Sequence, residues 1–507
     1  MAEGTAVLPL MGAAGSGVRR PTEPALPRWR RTFLSVFFLL IAAYPLCAAP
    51  GPNILLILAD DLAWSDLGCY GSTMCETPRL DRLAAQGLRF TDAYAGAPLC
   101  SPARAALMTG KTPARLHFEF VTKWRTDAVP TGPLHPLTPP PYTYDLPLEE
   151  RTIAEVLRDA GYRTGMVGKW HLNSHYRVYN GWSPTHGPLQ QGFEWARETF
   201  GSHPWAFASR AQDRFDDLPS GEYAPDGLTD AAIEFLRTRD ERPFFLFVSH
   251  FYVHSPVRAR GGWLVEKYRR KLGPAASENE ILYGGFVETL DHHVGRLLDA
   301  LDEQGLAEST LVVFASDNGG NPDFSVNAPL RGGKWNLYEG GVRTPLLARQ
   351  PGAFAAGETR ATPVNGPDLF ATFADLAGAA EPLERLDGRS LLPVLARDEA
   401  PERDLVWHFP YYHPEKGYEE ALPAIGVDDG EKSRTRPQAS LRRGRYKALY
   451  FFDTQQAELY DLTADPAEQR DLAAAEPGRA RELTQRLLDY LERVQARKPL
   501  PNPAYAP

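Results

Sequence analysis

The chain has 507 residues, of which 43% are hydrophobic and 23% charged, and its formal net charge is −9. That length gives room for one large domain with a smaller companion, and the mixture is that of a folded globular protein. An acidic balance without a basic stripe excludes nucleic acid as a partner, but not an anionic ligand, which a local cluster of cations can hold.

The first element is a targeting segment. Arg28, Arg30 and Arg31 precede the apolar run Phe33–Cys47, and Ala48 and Ala49 follow. The run is short for a membrane span, so residues 1–49 read as a signal peptide with a long n-region, touching a membrane only through this segment if it stays uncleaved. Arg30-Arg31-Thr32-Phe33-Leu34 resembles a twin-arginine export signal. Export fits the cysteines. Cys47 lies in the leader, and a Cys69–Cys75 disulfide is permissible in an oxidising compartment, which leaves Cys100 as the odd thiol.

Continuous apolar runs come next, and each ends in polar residues. Asn53–Ala59 runs into Asp60-Asp61, and Arg163–Val167 into Gly168-Lys169-Trp170-His171. Phe244–Ser249 leads to His250 and His254, and Thr310–Ser316 to Asp317-Asn318. Leu346–Ala348 is a fifth run with no chemistry after it. Runs without alternation suit strands buried on both faces of a parallel sheet. With helices at Arg151–Ala160 and Ile281–Gln304 between them, the pattern predicts an α/β fold, a large mixed and mostly parallel sheet sandwiched by helices. Ligands in such folds gather beyond the carboxyl ends of strands, where these polar residues fall.

Residues 50–395 are expected to form the catalytic domain and 396–507 a smaller C-terminal α+β subdomain. Its expected parts are strands at Ser440–Lys447 and Ala448–Phe452, the segment Glu458–Leu462, and a closing helix with Leu483, Leu487, Leu491 and Val494 on one face. Pro130–Pro147 reads as a surface loop near the active face.

Cys100-Ser101-Pro102-Ala103-Arg104 puts a cysteine at the mouth of a helix, with Pro102 suited to the first helical position and Gly110 to the end. Backbone N–H groups and the helix dipole favour an anion there, and Arg104 follows one turn later. A tyrosine-phosphatase spacing would need arginine at position 106, where the chain has Ala106. Asp60, Asp61, Asp317 and Asn318 are hard oxygen ligands, suited to calcium or magnesium, although such residues also cap helices.

The string Cys100–Lys111 resembles the type I sulfatase signature, C-x-P-x-R followed by small residues and T-G. Gly168–Leu172 is similar to the family's G-K-W-H-L element, His254-Ser255-Pro256 to its H-x-P element, and Arg331–Lys334 with Glu339–Arg343 to its G-x-K…E-G-G-x-R element. Glu458–Leu462 with Asp465-Pro466 resembles the family's C-terminal subdomain. The resemblance implies an alkaline-phosphatase-like sheet and conversion of Cys100 to formylglycine by a dedicated maturation enzyme. It implies one calcium ion, with magnesium the lesser alternative, on Asp60, Asp61, Asp317, Asn318 and residue 100. Arg104, Lys169 and Lys334 would then neutralise a sulfate ester, His254 and Lys334 protonate the leaving alcohol, and His171 act as the base that releases sulfate. The substrate class is an aryl or carbohydrate sulfate, with His186, His203 and Trp205 of the variable middle, His175–Pro225, as candidate contacts.

Plainer readings apply to neighbouring residues. His250 reads as a core residue, Arg343 as a fold-holding one, His292 and His293 as surface or structural, and Trp170 as packing. No Asn-x-Ser/Thr sequon occurs, and since lysosomal sulfatases are sorted through N-glycans, the expectation is a bacterial periplasmic or secreted enzyme. Two rival readings stay open: a phosphatase or phosphodiesterase of the same superfamily, and a non-catalytic exported protein that binds calcium and sulfated glycans.

Overall fold

A computed structural model describes residues 51–507 except 130–132, 134, 207–217, 259–260, 326, 380–385, 413–434 and 506–507. The expected signal segment and part of the Pro-rich loop lie outside the described residues. The large sheet is built from β1 (Asn53–Ala59), β2 (Leu88–Phe90), β3 (Arg163–Gly168), β4 (Trp195–Arg197), β5 (Phe244–Ser249), β6 (Thr310–Ser316), β7 (Leu346–Arg349) and β8 (Glu358–Arg360). Their spatial order is β8-β2-β7-β6-β1-β5-β3-β4. All pairings are parallel except those of β7 with β2 and β6.

The apolar runs are continuous because both faces of the sheet are buried. In β1, Ile54, Leu56 and Leu58 face one core with Phe245, Phe247 and Val313, while Leu55 and Ile57 face another with Leu246, Val248 and Phe314. The first core is closed by α2 (Cys100–Thr109), α3 (Ile153–Asp159) and α6 (Pro367–Leu376), and the second by α1 (Pro78–Ala85), α4 (Gly227–Arg237) and α5 (Glu278–Glu303). Helix α5 starts at a capping box, Ser277 with Glu280, three residues before the expected start.

Register decides where the chemistry lies. Ala59 is level with Ser316, Leu58 with Ser249, and Ser249 with Gly168. The residues that follow β1, β6, β5 and β3 therefore leave the sheet at one height and one edge.

A second, antiparallel sheet runs in the order β9 (Asp404–Phe409), β10 (Gln438–Arg443), β11 (Tyr446–Phe451), β12 (Gln456–Asp461). One sequence expectation is corrected here. The turn between β10 and β11 falls at Gly444, whose φ is +56°, so Lys447 lies inside a strand opposite Arg442 and Tyr460 and does not end one. The sheet also has a first strand, β9, that the expected parts did not include. Leu483, Leu487, Leu491 and Val494 on and just beyond α7 (Pro477–Arg493) cover one face of the sheet, as expected. Leu405, Trp407, Phe409 and Tyr460 on the other face pack against Tyr94, Leu99, Trp335 and Leu337 of the large unit.

Cys69, Cys75 and Cys100 are free thiols, so the Cys69–Cys75 disulfide is absent. The two are near in sequence but differently placed: Cys69 is half-buried with its amide donating to Asp81 Oδ1 at 2.7 Å, and Cys75 is buried with its amide donating to Ser72 Oγ at 3.1 Å.

Candidate active site

Three carboxylates and three cations meet beyond the strand ends, all nearly or fully buried. Asp60 and Asp61 leave β1, with Asp61 in the left-handed region at φ +62°. Asp317 and Asn318 leave β6. Lys169 leaves β3 and places Nζ 2.6 Å from Asp60 Oδ2. Lys334 comes from a glycine-rich loop and places Nζ 2.7 Å from Asp61 Oδ2. The loop is tight. Gly332 has φ +77°, and a Cβ there would lie 2.1 Å from Asn336 Oδ1.

Cys100 opens α2 with Sγ 3.8 Å from Asp61 Oδ1. One turn later Arg104 donates from Nε to Asp317 Oδ2 at 2.8 Å, with Nη2 2.7 Å from the same oxygen, and from Nη1 to the Lys169 carbonyl at 2.9 Å. Nη1 also donates to Ser249 Oγ, a partner that sequence reasoning missed although Ser249 ends an apolar run. The fork thus ties the ends of β3, β5 and β6 to the helix that carries Cys100.

The donor set fits a divalent ion. One ligand atom from each of Asp60, Asp61, Cys100 and Asp317 lies within 4.8 Å of the others, and Asp60 Oδ1 and Asn318 Oδ1 are buried without hydrogen-bond partners among the described residues. Oxygen donors of this kind suit calcium or magnesium. The charges of the six side chains cancel, so a bound divalent ion would leave the site positive and ready for an anion.

Burial pushes the Asp61 carboxyl up, but Lys334, His254 and Lys169 outweigh it and hold the group well below the usual carboxylate range. Asp317 is pushed up to about 6 by burial, with Arg104 opposing and Asp60 adding. Burial drives the Cys100 thiol well above its ordinary value against the pull of Lys169 and Lys334, so the unmodified side chain stays a protonated thiol.

Two histidines complete the centre. His254 Nδ1 lies 2.6 Å from the Ser255 carbonyl and donates to it, so Nε2, 3.1 Å from Lys334 Nζ, accepts. Burial and then Lys334 bring His254 down to about 3. His171 is buried with φ +56°, has no hydrogen-bond partner on either ring nitrogen among the described residues, and is kept neutral by burial and Lys169.

The other candidates separate by role. His203 is buried and its Nε2 lies 2.9 Å from the His254 carbonyl, so it supports His254 from behind. His186 instead sets Nδ1 2.9 Å from Thr185 Oγ1, and its carbonyl accepts from Trp170 Nε1 at 3.0 Å. Trp205 sets its ring 4.9 Å from that of His254. Arg343 pairs with Asp92 and Glu339, a fold-holding part as expected. His293 is buried against Ser202, and His292 stacks on Tyr223.

Sequence reasoning also missed a buried triad under the Lys334 loop. Lys447 Nζ of β11 lies 2.8 Å from Glu339 Oε1 and 3.0 Å from Glu468 Oε1, and Glu468 Oε2 accepts from the Glu339 amide. Glu339 lies in the E-G-G-x-R element and Glu468 just after Asp465-Pro466, but nothing in the sequence couples either of them to Lys447.

The sulfatase family model matches residues 52–379, and a model described as N-sulphoglucosamine sulphohydrolase, C-terminal, matches residues 333–497. Arylsulfatase A of Homo sapiens is 36% identical over 474 residues, covering 87% of this chain and 82% of its own. A sulfatase of Formosa agariphila is 30% identical, covering 84% and 85%. The crystal structure of Ps i-CgsB in complex with k-i-k-neocarrahexaose superposes with a TM-score of 0.68 at 26% identity, covering 87% of this chain and 93% of that one. Matched along most of its length by both family model and relatives, and folded on the alkaline-phosphatase-like sheet, the chain belongs to the type I sulfatase family of sulfuric ester hydrolases.

Proposed function

We propose that the protein hydrolyses a sulfate monoester of an aryl or carbohydrate alcohol, using residue 100 as formylglycine together with one calcium ion. The observation that carries this reading is the placement of Cys100 at a helix mouth, within reach of three carboxylates and three cations. Formylglycine would supply a hydrated aldehyde as nucleophile, and calcium on Asp60, Asp61, Asp317 and Asn318 would supply Lewis acidity.

The chain's own residues do the rest. Lys169, Lys334 and Arg104 oppose the charge of the sulfate in a preorganised, dry site, where such terms are large. Lys334 carries the proton for the leaving oxygen, and the neutral His254 at 3.1 Å can relay it. His171, neutral and without a partner, accepts the proton when sulfate is expelled. Our reading of the ends and edges of the chain is part of the same proposal. Residues 1–49 export the protein to the periplasm or exterior of a bacterial cell, a formylglycine-generating enzyme acts on Cys100, and residues 50–395 and 396–507 divide the catalytic domain from its companion. Among the described residues no helix is long and apolar enough to cross a membrane.

The test is the mass of the tryptic peptide Phe90–Arg104 from the native host, paired with turnover of 4-nitrophenyl sulfate and 4-nitrophenyl phosphate. Loss of sulfur at residue 100 with preference for the sulfate ester supports the reading. A phosphate preference, or an intact thiol in a fully active enzyme, refutes it.

A further inference from the structure

An arc of aromatic rings starts at the candidate proton donor and runs outward from the site. Trp205 packs at 4.9 Å against the His254 ring, and Lys169 Nζ lies 5.8 Å from the Trp205 centroid. Tyr179 meets Trp205 at 5.2 Å, His175 meets Tyr179 at 4.6 Å, and Trp124 meets His175 at 5.2 Å. His171, with its unpartnered nitrogens, lies inside the arc, 6.0 Å from His175 and 6.5 Å from Tyr179.

The far members stay open to solvent although they are large and apolar. Tyr179 is 46% exposed and Trp124 39%. Exposed aromatics that join a buried polar centre mark a ligand surface.

The loop that presents Tyr179 is fixed. Asn173 Nδ2 donates to the carbonyls of Ser174 and Gly181, at 2.7 and 3.0 Å, and so clamps both ends. The Ser174 amide is held by Asp145 at 2.8 Å, and the Asn180 amide donates to His175 Nδ1 at 3.3 Å. Arg177 and Asn180 take φ of +61° and +60° on either side of Tyr179, conformations that persist only when the surroundings impose them. Two charged neighbours have partners of their own. Arg125 pairs with Asp145, and the Arg177 guanidinium lies 5.0 Å from the Tyr176 ring.

We infer that Trp124, Tyr179 and Trp205 form the leaving-group site and select sulfate esters whose alcohol is a ring with a flat apolar face. The inference rests on the sulfate-ester reading above. The sulfate enters among Arg104, Lys169 and Lys334, the bridging oxygen then faces Lys334 and His254, and the ring beyond it lies against the arc. Arenes and pyranoses share that flat face, and ring stacking rewards both.

The test uses the full chain carrying Cys100→Ala, so that binding is read without turnover. 4-Nitrophenyl sulfate, galactose 6-sulfate and inorganic sulfate are titrated by calorimetry into this background and into versions that add Trp124→Ala, Tyr179→Ala or Trp124→Phe. The expected result is a loss of roughly two- to tenfold in affinity for a ring ester in the alanine variants, partial recovery with Trp124→Phe, and less than a twofold change for inorganic sulfate. The ester that loses more identifies which ring the site prefers. Equal losses for all ligands, no loss for either ester, or no binding of either ester to the parent overturns the inference. A matured Cys100 enzyme that bound these esters without cleaving them would instead refute the reaction, leaving the affinity comparison intact.

Discussion

Replacing Lys447 with methionine tests the buried triad under the active-site loop. Lys447 is fully buried between Glu339 and Glu468, and Glu339 is also held by the Tyr94 hydroxyl at 2.6 Å. Methionine keeps the volume and removes the charge. Breaking a buried ion pair by deleting one partner costs about 3–5 kcal/mol, because a carboxylate stays buried without its countercharge. At about 2.1 cal/mol/K per residue, the unfolding entropy of roughly 450 residues is about 1 kcal/mol/K, so the melting temperature should fall by about 3–5 °C.

The pH dependence gives the sharper readout. Burial, with Glu339 adding to it, pushes Glu468 up to about 7, while Lys447, Arg343 and Arg442 hold Glu339 down at about 2 against its burial. A carboxyl raised in the folded state gives stability that is present below its ordinary value and lost as pH rises through about 7. Without Lys447, Glu468 takes up a proton more readily, so the loss should be full at pH 8 and about 1–2 °C smaller at pH 5.5. Scanning calorimetry of both proteins at the two pH values is the assay. A variant that melts within 1 °C of the parent at pH 8 (roughly 1 kcal/mol by the same conversion), or an equal shift at both pH values, refutes the reasoning.

Three further outcomes are expected. His254→Ala should slow esters of poor leaving groups by about 10²–10⁴ and activated nitrophenyl sulfates much less, so a series of substituted phenyl sulfates should show a steeper leaving-group dependence; equal losses would count against proton delivery. Chelation with EGTA should abolish turnover and lower the melting temperature, with calcium restoring both, as ligand linkage requires; an unchanged melting temperature would count against a bound ion. Asp291 accepts from the amides of Arg79 and Leu80 at the start of α1 and is pushed up to about 7 by burial, so its stabilisation is lost as pH rises through 7. Asp291→Asn should therefore flatten the fall in melting temperature between pH 5 and 8, and an identical slope in both proteins would remove Asp291 as its source.

Strands β1, β3, β5 and β6 were legible because burial on both faces writes an uninterrupted apolar run, and the residues after each run had to lie at the ligand edge. Lys447 was misread because the basic run Arg442–Lys447 around Gly444 hides where the turn falls, whereas Lys447 is a strand residue matched by Glu339 and Glu468. The rim was largely unreadable for a related reason. Tyr179 and His175 sit in an irregular loop with no period, and Trp124 joins them only through the fold. Trp205 and His203 could be suspected from composition, and His203 meets the site through the His254 carbonyl.

The aligned strand ends also set an order of events. Cys100 is 1% exposed, and what seals it includes Asp317, roughly two hundred residues later in the chain. At typical synthesis rates of about 5–20 residues per second, those residues take about 10–40 s to appear. During that interval position 100 is already made while β6, which must dock beside β1 to close the pocket, does not yet exist. Any enzyme that has to reach this thiol works against a clock set by the distance between two strands in the gene.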